Sequence, residues 1–336
     1  MKVTMGDVAH LAGVSITTVS HVINHSRAVS PDAQKRVNDA IMELNYSVDP
    51  VARNLRSGSS KMIGVIISNL SNEFYINIGN GLKEVLASAG YKLYFVNSYE
   101  NRETERQNVF DLVTHSADGL VIAPTQNDCT YMNKLIPYSL PTVFIDRKPT
   151  GFSRDSVLAT NQAGVEEAVS HLIAKGHKRI VFIGSRKNKT MEERLEGYRN
   201  ALFKAGIPYD PELVLITEVE PTPMYEVLIG DIYEKMDQFL DKTKPTAIMS
   251  GNGLATIGIF NYLKTNNLRI PEDIALISFD NHFWYTMLTP SISAVVQDPY
   301  EIGIQTGMLL LRRLKGEQFE YQDLRIPTKI ILRESC

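Results

Sequence analysis

Between Met5 and Leu44 apolar residues recur at three- and four-residue spacing in three separate runs, and each run begins on a helix-starting signal. Met5, Val8, Ala9 and Ala12 share one helical face, with Thr4 as an N-cap and Asp7 three residues on. That is a capping-box start, although Glu or Gln usually closes the box. Gly13 suits the left-handed conformation that ends a helix. Ser15 then caps a second helix from Ile16, whose buried stripe is Val19, Val22 and Ile23. Ile16, Thr17, Thr18, Ser20, His21 and Asn24 are left over, and most of them must face outward. Ser30-Pro31-Asp32 opens a third helix that turns Ala33, Val37, Ala40, Ile41 and Leu44 inward, with Tyr46 as a core cover or, alternatively, a phosphate contact. Asp49-Pro50 repeats the cap-then-proline device for one short helix to Arg56, and Ser57-Gly-Ser-Ser60 reads as a linker. A helix this short is marginal alone and needs a partner.

From Lys61 the pattern changes. Short β-branched runs at 62–68, 92–96, 119–123 and 142–146 alternate with helical stretches at 75–89 and 103–115. The cycle restarts with helices at 162–175 and through Arg194 to Ala205, and strands at 179–184, 213–216, 247–250 and 274–278. Repeated βαβ units mean doubly wound parallel sheets, and there are strands enough for two. Two such lobes imply a cleft, with a ligand seated where strand ends face it.

A chain of 336 residues suits two or three domains, and its apolar and charged shares are those of a globular protein. A net charge of -3 excludes a generally polybasic binder, so any affinity for nucleic acid must come from local placement of groups. Cys129 and Cys336 form neither a metal-ligand spacing nor a disulfide framework, which fits a reducing cytoplasm. No apolar signal region opens the chain and no apolar run reaches membrane-spanning length, so the expected setting is cytoplasmic with no membrane partner. Seven histidines are scattered. There is no nucleophile elbow and no metal motif, so neither an enzyme nor a cofactor is expected. Gly79-Asn-Gly81 lies inside a helical pattern and is a coincidence as a phosphate loop.

Two helices joined by a three-residue turn containing Gly make a helix-turn-helix, although any small α-hairpin shares that outline. Charge does not decide the matter. Lys2, Arg27, Lys35, Arg36, Arg53 and Arg56 are nearly balanced by Asp7, Asp32, Asp39, Glu43 and Asp49. The polar edge of the second helix argues more strongly, because in this motif that helix enters the major groove. Ile16, Thr17 and His21 are candidates for reading bases, Ile16 through apolar contact such as a thymine methyl. Thr4, Ser15, Asn24 and Ser30 are candidates for phosphate contacts.

Thr4-Met-x-Asp-Val-Ala, Ala12-Gly-Val-Ser15, Thr18-Val-Ser20 and Val22-Ile-Asn24 resemble the headpiece of the lactose/galactose repressor (LacI/GalR) family, closest to its purine-repressor branch. Asn72-Glu-Phe-Tyr75, Ile145-Asp-Arg147, Gly176-His-Lys-Arg-Ile180, Arg194-x-x-Gly-Tyr198 and Ile277-Ser-Phe-Asp-Asn281 carry the resemblance into the rest of the chain. It implies an all-α headpiece over 1–47, a hinge helix and linker over 48–60, and a two-lobed, periplasmic-binding-protein-like α/β core over 61–336. The lobes would divide as 61–160 with 291–322 and 161–290 with 323–336, the chain crossing near Asn161, Ser291 and Gln322. The resemblance further implies a homodimer on double-stranded operator DNA, with Leu55 wedged between base steps in the minor groove and Arg56 beside it.

For the effector, the polar residues beyond strand ends are Asp146, Asp280 and Asn252, with Arg194 facing the same crevice. Phe74 and Tyr75 would offer an apolar face. By the resemblance these positions hold a sugar or a purine, and the chain is a small-molecule-controlled transcription regulator, in the first place a repressor. A co-repressor-dependent or partner-protein-dependent regulator stays open, as does a free cytoplasmic sugar-binding protein. Two stretches depart from the family: Gly253 stands where an Asp is usual, and the 218–223 loop lacks the usual aromatic residue. His282-Phe-Trp-Tyr285 places the single Trp beside Asp280, either lining the cleft mouth or in a plain packing role.

Overall fold

The computed structural model describes residues 3–24, 27–46, 59–185, 188–217 and 225–336. Leu55, Arg56 and most of the expected hinge lie outside the described residues, as does the 218–223 loop. The chain divides into two compact units, Met1–Ser60 and Lys61–Cys336.

In the first unit, α1 (Met5–Ala12), α2 (Ile16–Asn24) and α3 (Pro31–Glu43) enclose a small core of Val8, Ala9, Ala12, Val19, Val22, Val37 and Ala40. Ile41, Leu44 and Tyr46 pack over it. Each start is satisfied locally. The Thr4 hydroxyl accepts from the Asp7 backbone N–H while the Thr4 N–H donates to Asp7 Oδ2 at 2.8 Å, so an Asp closes this capping box. Gly13, at φ 62°, ends α1 in the left-handed region. Ser15 Oγ accepts from Thr18 N–H at 3.1 Å, and Ser30 caps α3 with Pro31 in its first turn.

The second unit contains two six-stranded sheets among the described residues. The first lobe holds β1 (Met62–Ile67), β2 (Lys92–Asn97), β3 (Gly119–Ile122), β4 (Thr142–Ile145), β5 (Asp155–Ala159) and β11 (Asp323–Ile326), in the order β11-β5-β4-β3-β1-β2 and wholly parallel. The second holds β6 (Ile180–Ser185), β7 (Val214–Thr217), β8 (Ala247–Ser250), β9 (Ala275–Phe279), β10 (Ser293–Val296) and β12 (Lys329–Ile331), in the order β12-β10-β9-β8-β6-β7. There only β12 runs antiparallel.

Helices cover both faces of each sheet, so the central strands are predominantly apolar, as in β1, β3, β4 and β6. In the first lobe α4 (Glu73–Ala87) lies on one face, and α5 (Arg102–Thr114) and α6 (Met132–Leu135) lie on the other. In the second, α7 (Asn161–Ala174) and α8 (Lys189–Lys204) lie on one face, and α9 (Tyr225–Thr243) and α10 (Gly253–Thr265) on the other. α11 (Pro299–Leu314) returns to the first lobe beside α4. The two helices meet backbone to backbone at Gly81, where a Cβ would strike the Tyr300 carbonyl oxygen. That close approach is the physical reason for a glycine inside this helix.

The crossings between lobes correct two expectations. The first follows Ala159 and enters α7 at Asn161. The second follows Val296, not Ser291, because β10 pairs with β9 in the second lobe. The third follows Ile326, not Gln322, because β11 pairs with β5 in the first lobe. The first and third crossings lie side by side, tied by Thr328 N–H to Thr160 Oγ1 at 2.9 Å. No helix among the described residues is long and apolar enough to cross a membrane.

Candidate functional site

Two faces bear the sequence-selected residues. On the first unit, Ile16 is 56% exposed and Thr17 beside it is exposed, at the open end of α2. His21 is half-buried one turn on. The phosphate candidates differ in what they have left to give. The Thr4 hydroxyl donates to Asp7 Oδ2 at 2.7 Å, and the Asn24 amide nitrogen donates to the Ser20 carbonyl at 2.9 Å, so both are engaged within the unit. Among the described residues Ser30 only accepts, from Ala33 N–H, and keeps its own proton for an anion.

In the second unit the cleft brings together three of the expected groups. Asp146 and Asp280 directly follow β4 and β9, corresponding strands of the two sheets, and both take left-handed backbone at φ 66° and 75°. Arg194, on α8, is buried against the ring of Phe279, 3.6 Å from its centroid. Its Nε donates to Asn161 Oδ1 at 3.1 Å and its Nη1 to the Gly251 carbonyl at 2.8 Å, leaving the other terminal nitrogen without a hydrogen bond among the described residues. Burial draws the guanidinium below its ordinary pKa, and the charges of Asp280 and Asp146 work against that fall. The arginine therefore sits in the field of one carboxylate from each lobe. Burial also pushes the Asp146 carboxyl up, opposed by Arg147, Arg194 and the Tyr75 hydroxyl. Arg147 Nε stands 3.3 Å from Asp146 Oδ2, but its terminal nitrogens grip Glu100 at 2.8 and 2.6 Å.

Two expected ligand residues have other work. Tyr75 does not offer an open face. It is 2% exposed, packed in the first-lobe core, and its hydroxyl donates to Asp146 Oδ2 at 2.9 Å while accepting from Ser68 Oγ at 3.0 Å. Phe74, half-buried and edge-on to Tyr75, is the aromatic surface that remains. Asn252 spends both ends of its amide: Oδ1 caps α10 through Ala255 N–H at 2.9 Å, and Nδ2 donates to Ser185 Oγ at 2.8 Å. It positions the helix rather than presenting a free amide.

Sequence reasoning missed Gln297, whose Nε2 donates to Asp280 Oδ1 at 2.6 Å from the second crossing. Its signal was its place directly after a strand, obscured because β10 went unread. It also missed Asn161, whose amide joins Arg194 to Glu193 (Nδ2 to Oε2, 3.0 Å) at the first crossing.

Comparison with known proteins bears on both faces. A model of bacterial regulatory proteins of the lacI family matches residues 4–49, and a periplasmic binding protein-like domain matches 169–336. The HTH-type transcriptional repressor PurR of Histophilus somni (strain 2336) is 30% identical over 335 residues, covering 99% of this chain and 98% of that protein. The chain belongs to the LacI family. Among LacI-family structures, a complex of the transcriptional regulator CelR with cellobiose is 27% identical, with a TM-score of 0.73 over 99% of this chain and all of the other. The Lac repressor dimer bound to operator and an anti-inducer is 24% identical, with a TM-score of 0.82 over 100% of this chain and 99% of that one, and shares the fold. As a LacI-family member the chain is a DNA-binding transcription regulator under small-molecule control and not an enzyme.

Proposed function

We propose that the chain is a cytoplasmic repressor whose effector is a small cyclic polyol, a sugar or sugar derivative, held between Asp146, Asp280 and Arg194. The observation that carries this is the pairing of Asp146 and Asp280 at corresponding strand ends, with Arg194 in the field of both. Two carboxylates and a guanidinium present acceptors and donors at fixed spacing, which matches neighbouring hydroxyls on one ring. Phe74 supplies the surface on which the ring's C–H face packs. The solved complex of the transcriptional regulator CelR with cellobiose supports a sugar. The PurR relatives favour a purine as the second reading.

A ligand touching Asp146 of one lobe and Asp280 of the other binds only one lobe arrangement well, and so shifts the population of the core. The output is the headpiece. Ile16, Thr17 and His21 read bases, Ser15 and Ser30 hold phosphates with Thr4 and Asn24 in lesser roles, and Leu55 and Arg56 enter the minor groove. The dimer surface we assign to α4 and the edge strand β2. A groove of about 480 Å³ there is lined by Leu70, Ile76, Gly79, Tyr91 and Phe95, with Ile76 50% and Tyr94 49% exposed.

The test is thermal unfolding of the full chain across sugars, phosphosugars and purines, because a ligand bound only by the folded core raises Tm by mass action. A shift with a sugar and none with purines is expected. The reverse would replace the sugar by a purine.

A further inference from the structure

The sequence set apart Gly253 and the run from His282 to Tyr285, and the fold brings them into contact. Gly253 is buried at the first position of α10. A Cβ built on it would collide with the edge of the His282 imidazole, nearest Nε2 and with Cδ2 at 2.8 Å. The ring is held in place there. It stacks on Trp284 with centroids 5.6 Å apart and planes 17° from parallel, and stands edge-on to Tyr285 at 5.4 Å. Tyr285 is itself anchored in the core, its hydroxyl 2.7 Å from Ser278 Oγ. On its other side, His282 Nδ1 lies 3.8 Å from Glu73 Oε2, on the first turn of α4 in the opposite lobe. Glu73 directly precedes Phe74, and His282 follows Asp280 by two residues, so this contact spans the cleft beside the proposed ligand groups. A second bridge joins the lobes at Asn127 Nδ2 to Glu192 Oε1, 3.3 Å, and a third joins Thr190 Oγ1 to the Asp146 carbonyl, 3.4 Å.

We propose that the Gly253–His282 pair sets the size of the effector: the imidazole, admitted by the missing side chain at 253 and facing Glu73, closes the cleft around a single sugar ring and excludes extended glycosides. The proposal rests on reading the cleft as a sugar site. A second ring leaving the site past Asp280 has to part His282 from Glu73 and from its stack on Trp284, which costs contacts that a monosaccharide leaves intact. His282 thereby acts on specificity in two ways. It limits length, and it offers a ring nitrogen where a carboxylate is usual.

Calorimetric titration of the full-length protein with free pentoses and hexoses and with 1,4-linked disaccharides, cellobiose among them, tests this. The wild-type chain should bind its best monosaccharide at least tenfold more tightly than any disaccharide. His282→Ala should bring that ratio below threefold by gaining disaccharide affinity. Gly253→Ala, by forcing the ring aside, should move the ratio the same way. The double variant should match His282→Ala within twofold, because the new methyl then meets open space. A wild-type chain that binds a disaccharide as tightly as any monosaccharide overturns the proposal and leaves the sugar reading standing. So does a double variant whose loss is the product of the two single losses. Should Gly253→Ala fail to fold, restored folding in the double variant supports the contact, and failure of both variants overturns it. Binding of neither class of sugar removes the sugar reading and this proposal together.

Discussion

Tyr75→Phe removes one oxygen from the core of the first lobe and tests how Asp146 is held. The hydroxyl makes two buried hydrogen bonds, donating to Asp146 Oδ2 at 2.9 Å and accepting from Ser68 Oγ at 3.0 Å. A bond to a charged acceptor contributes about 1.5–3 kcal/mol and a neutral one about 1 kcal/mol, offset by about 1 kcal/mol because phenylalanine has no hydroxyl to desolvate. The net loss is about 2 kcal/mol of core stability, or roughly 4–8 °C in Tm. The ring stays, so the apolar packing is unchanged. The variant also changes the site. The Tyr75 hydrogen bond is one of the influences holding the Asp146 carboxyl down against burial, so removing it lets the carboxyl take up its proton at a higher pH. A protonated Asp146 is a poorer acceptor for a ligand hydroxyl. Effector affinity should therefore be lower in the variant wherever the carboxyl takes up its proton. On acidification it should fade at a higher pH than in the wild type. Urea denaturation measures the first effect, and calorimetric titration between about pH 4 and pH 8 measures the second. A variant within about 0.5 kcal/mol of wild type, with unchanged affinity and pH profile, would refute the role given to Tyr75.

Asp280→Ala removes the acceptor of Gln297 and one of the charges facing Arg194; effector binding should drop at least about 30-fold while gel-shift affinity for operator without effector stays at the wild-type value. Leu55→Ala should weaken operator binding by about tenfold and leave calorimetric effector affinity intact, and equal loss of both would remove the wedge role. Ile76→Glu places a charge on the exposed face of α4 and should convert the dimer to monomer in analytical ultracentrifugation; an unchanged dimer would put the interface elsewhere.

The headpiece was almost wholly legible because its signals are local. Thr4, Gly13, Ser15 and Ser30-Pro31 each act on backbone groups within four residues, and no distant packing has to be known. The core was legible where strands are long, β-branched and buried on both faces, as in β1 and β6. It was not where they are short or mixed. β11 reads Asp323-Leu-Arg-Ile, an edge strand with polar outward positions, and β12 is an edge strand of only three residues, Lys329-Ile-Ile, so neither stands out from a loop. The unread strands β5, β10, β11 and β12 flank the crossings, which is why two crossings were placed one strand early. In the site, Asp146 and Asp280 stood out because charge just beyond an apolar strand is visible in a sequence, and Arg194 stood out through the resemblance. What each side chain has left to offer was not, since the Tyr75 hydroxyl and both ends of the Asn252 amide are spent on partners far away in the chain or on a cap. Gly253 and His282 were each noticed as odd, but their relation exists only in three dimensions.

Regulation depends on one coupling, between the cleft and the face of α2. Fluorescence anisotropy of the full-length dimer on duplex DNA from upstream of its own coding sequence, titrated at several salt concentrations with and without the sugar that raises Tm, measures it directly. Binding should be sequence-selective and fall steeply with salt, be lost in Ile16→Ala/Thr17→Ala, and change at least about tenfold, 1.4 kcal/mol, when the sugar saturates the core. Selective binding that no cleft ligand alters, or no selective binding at all, would contradict it.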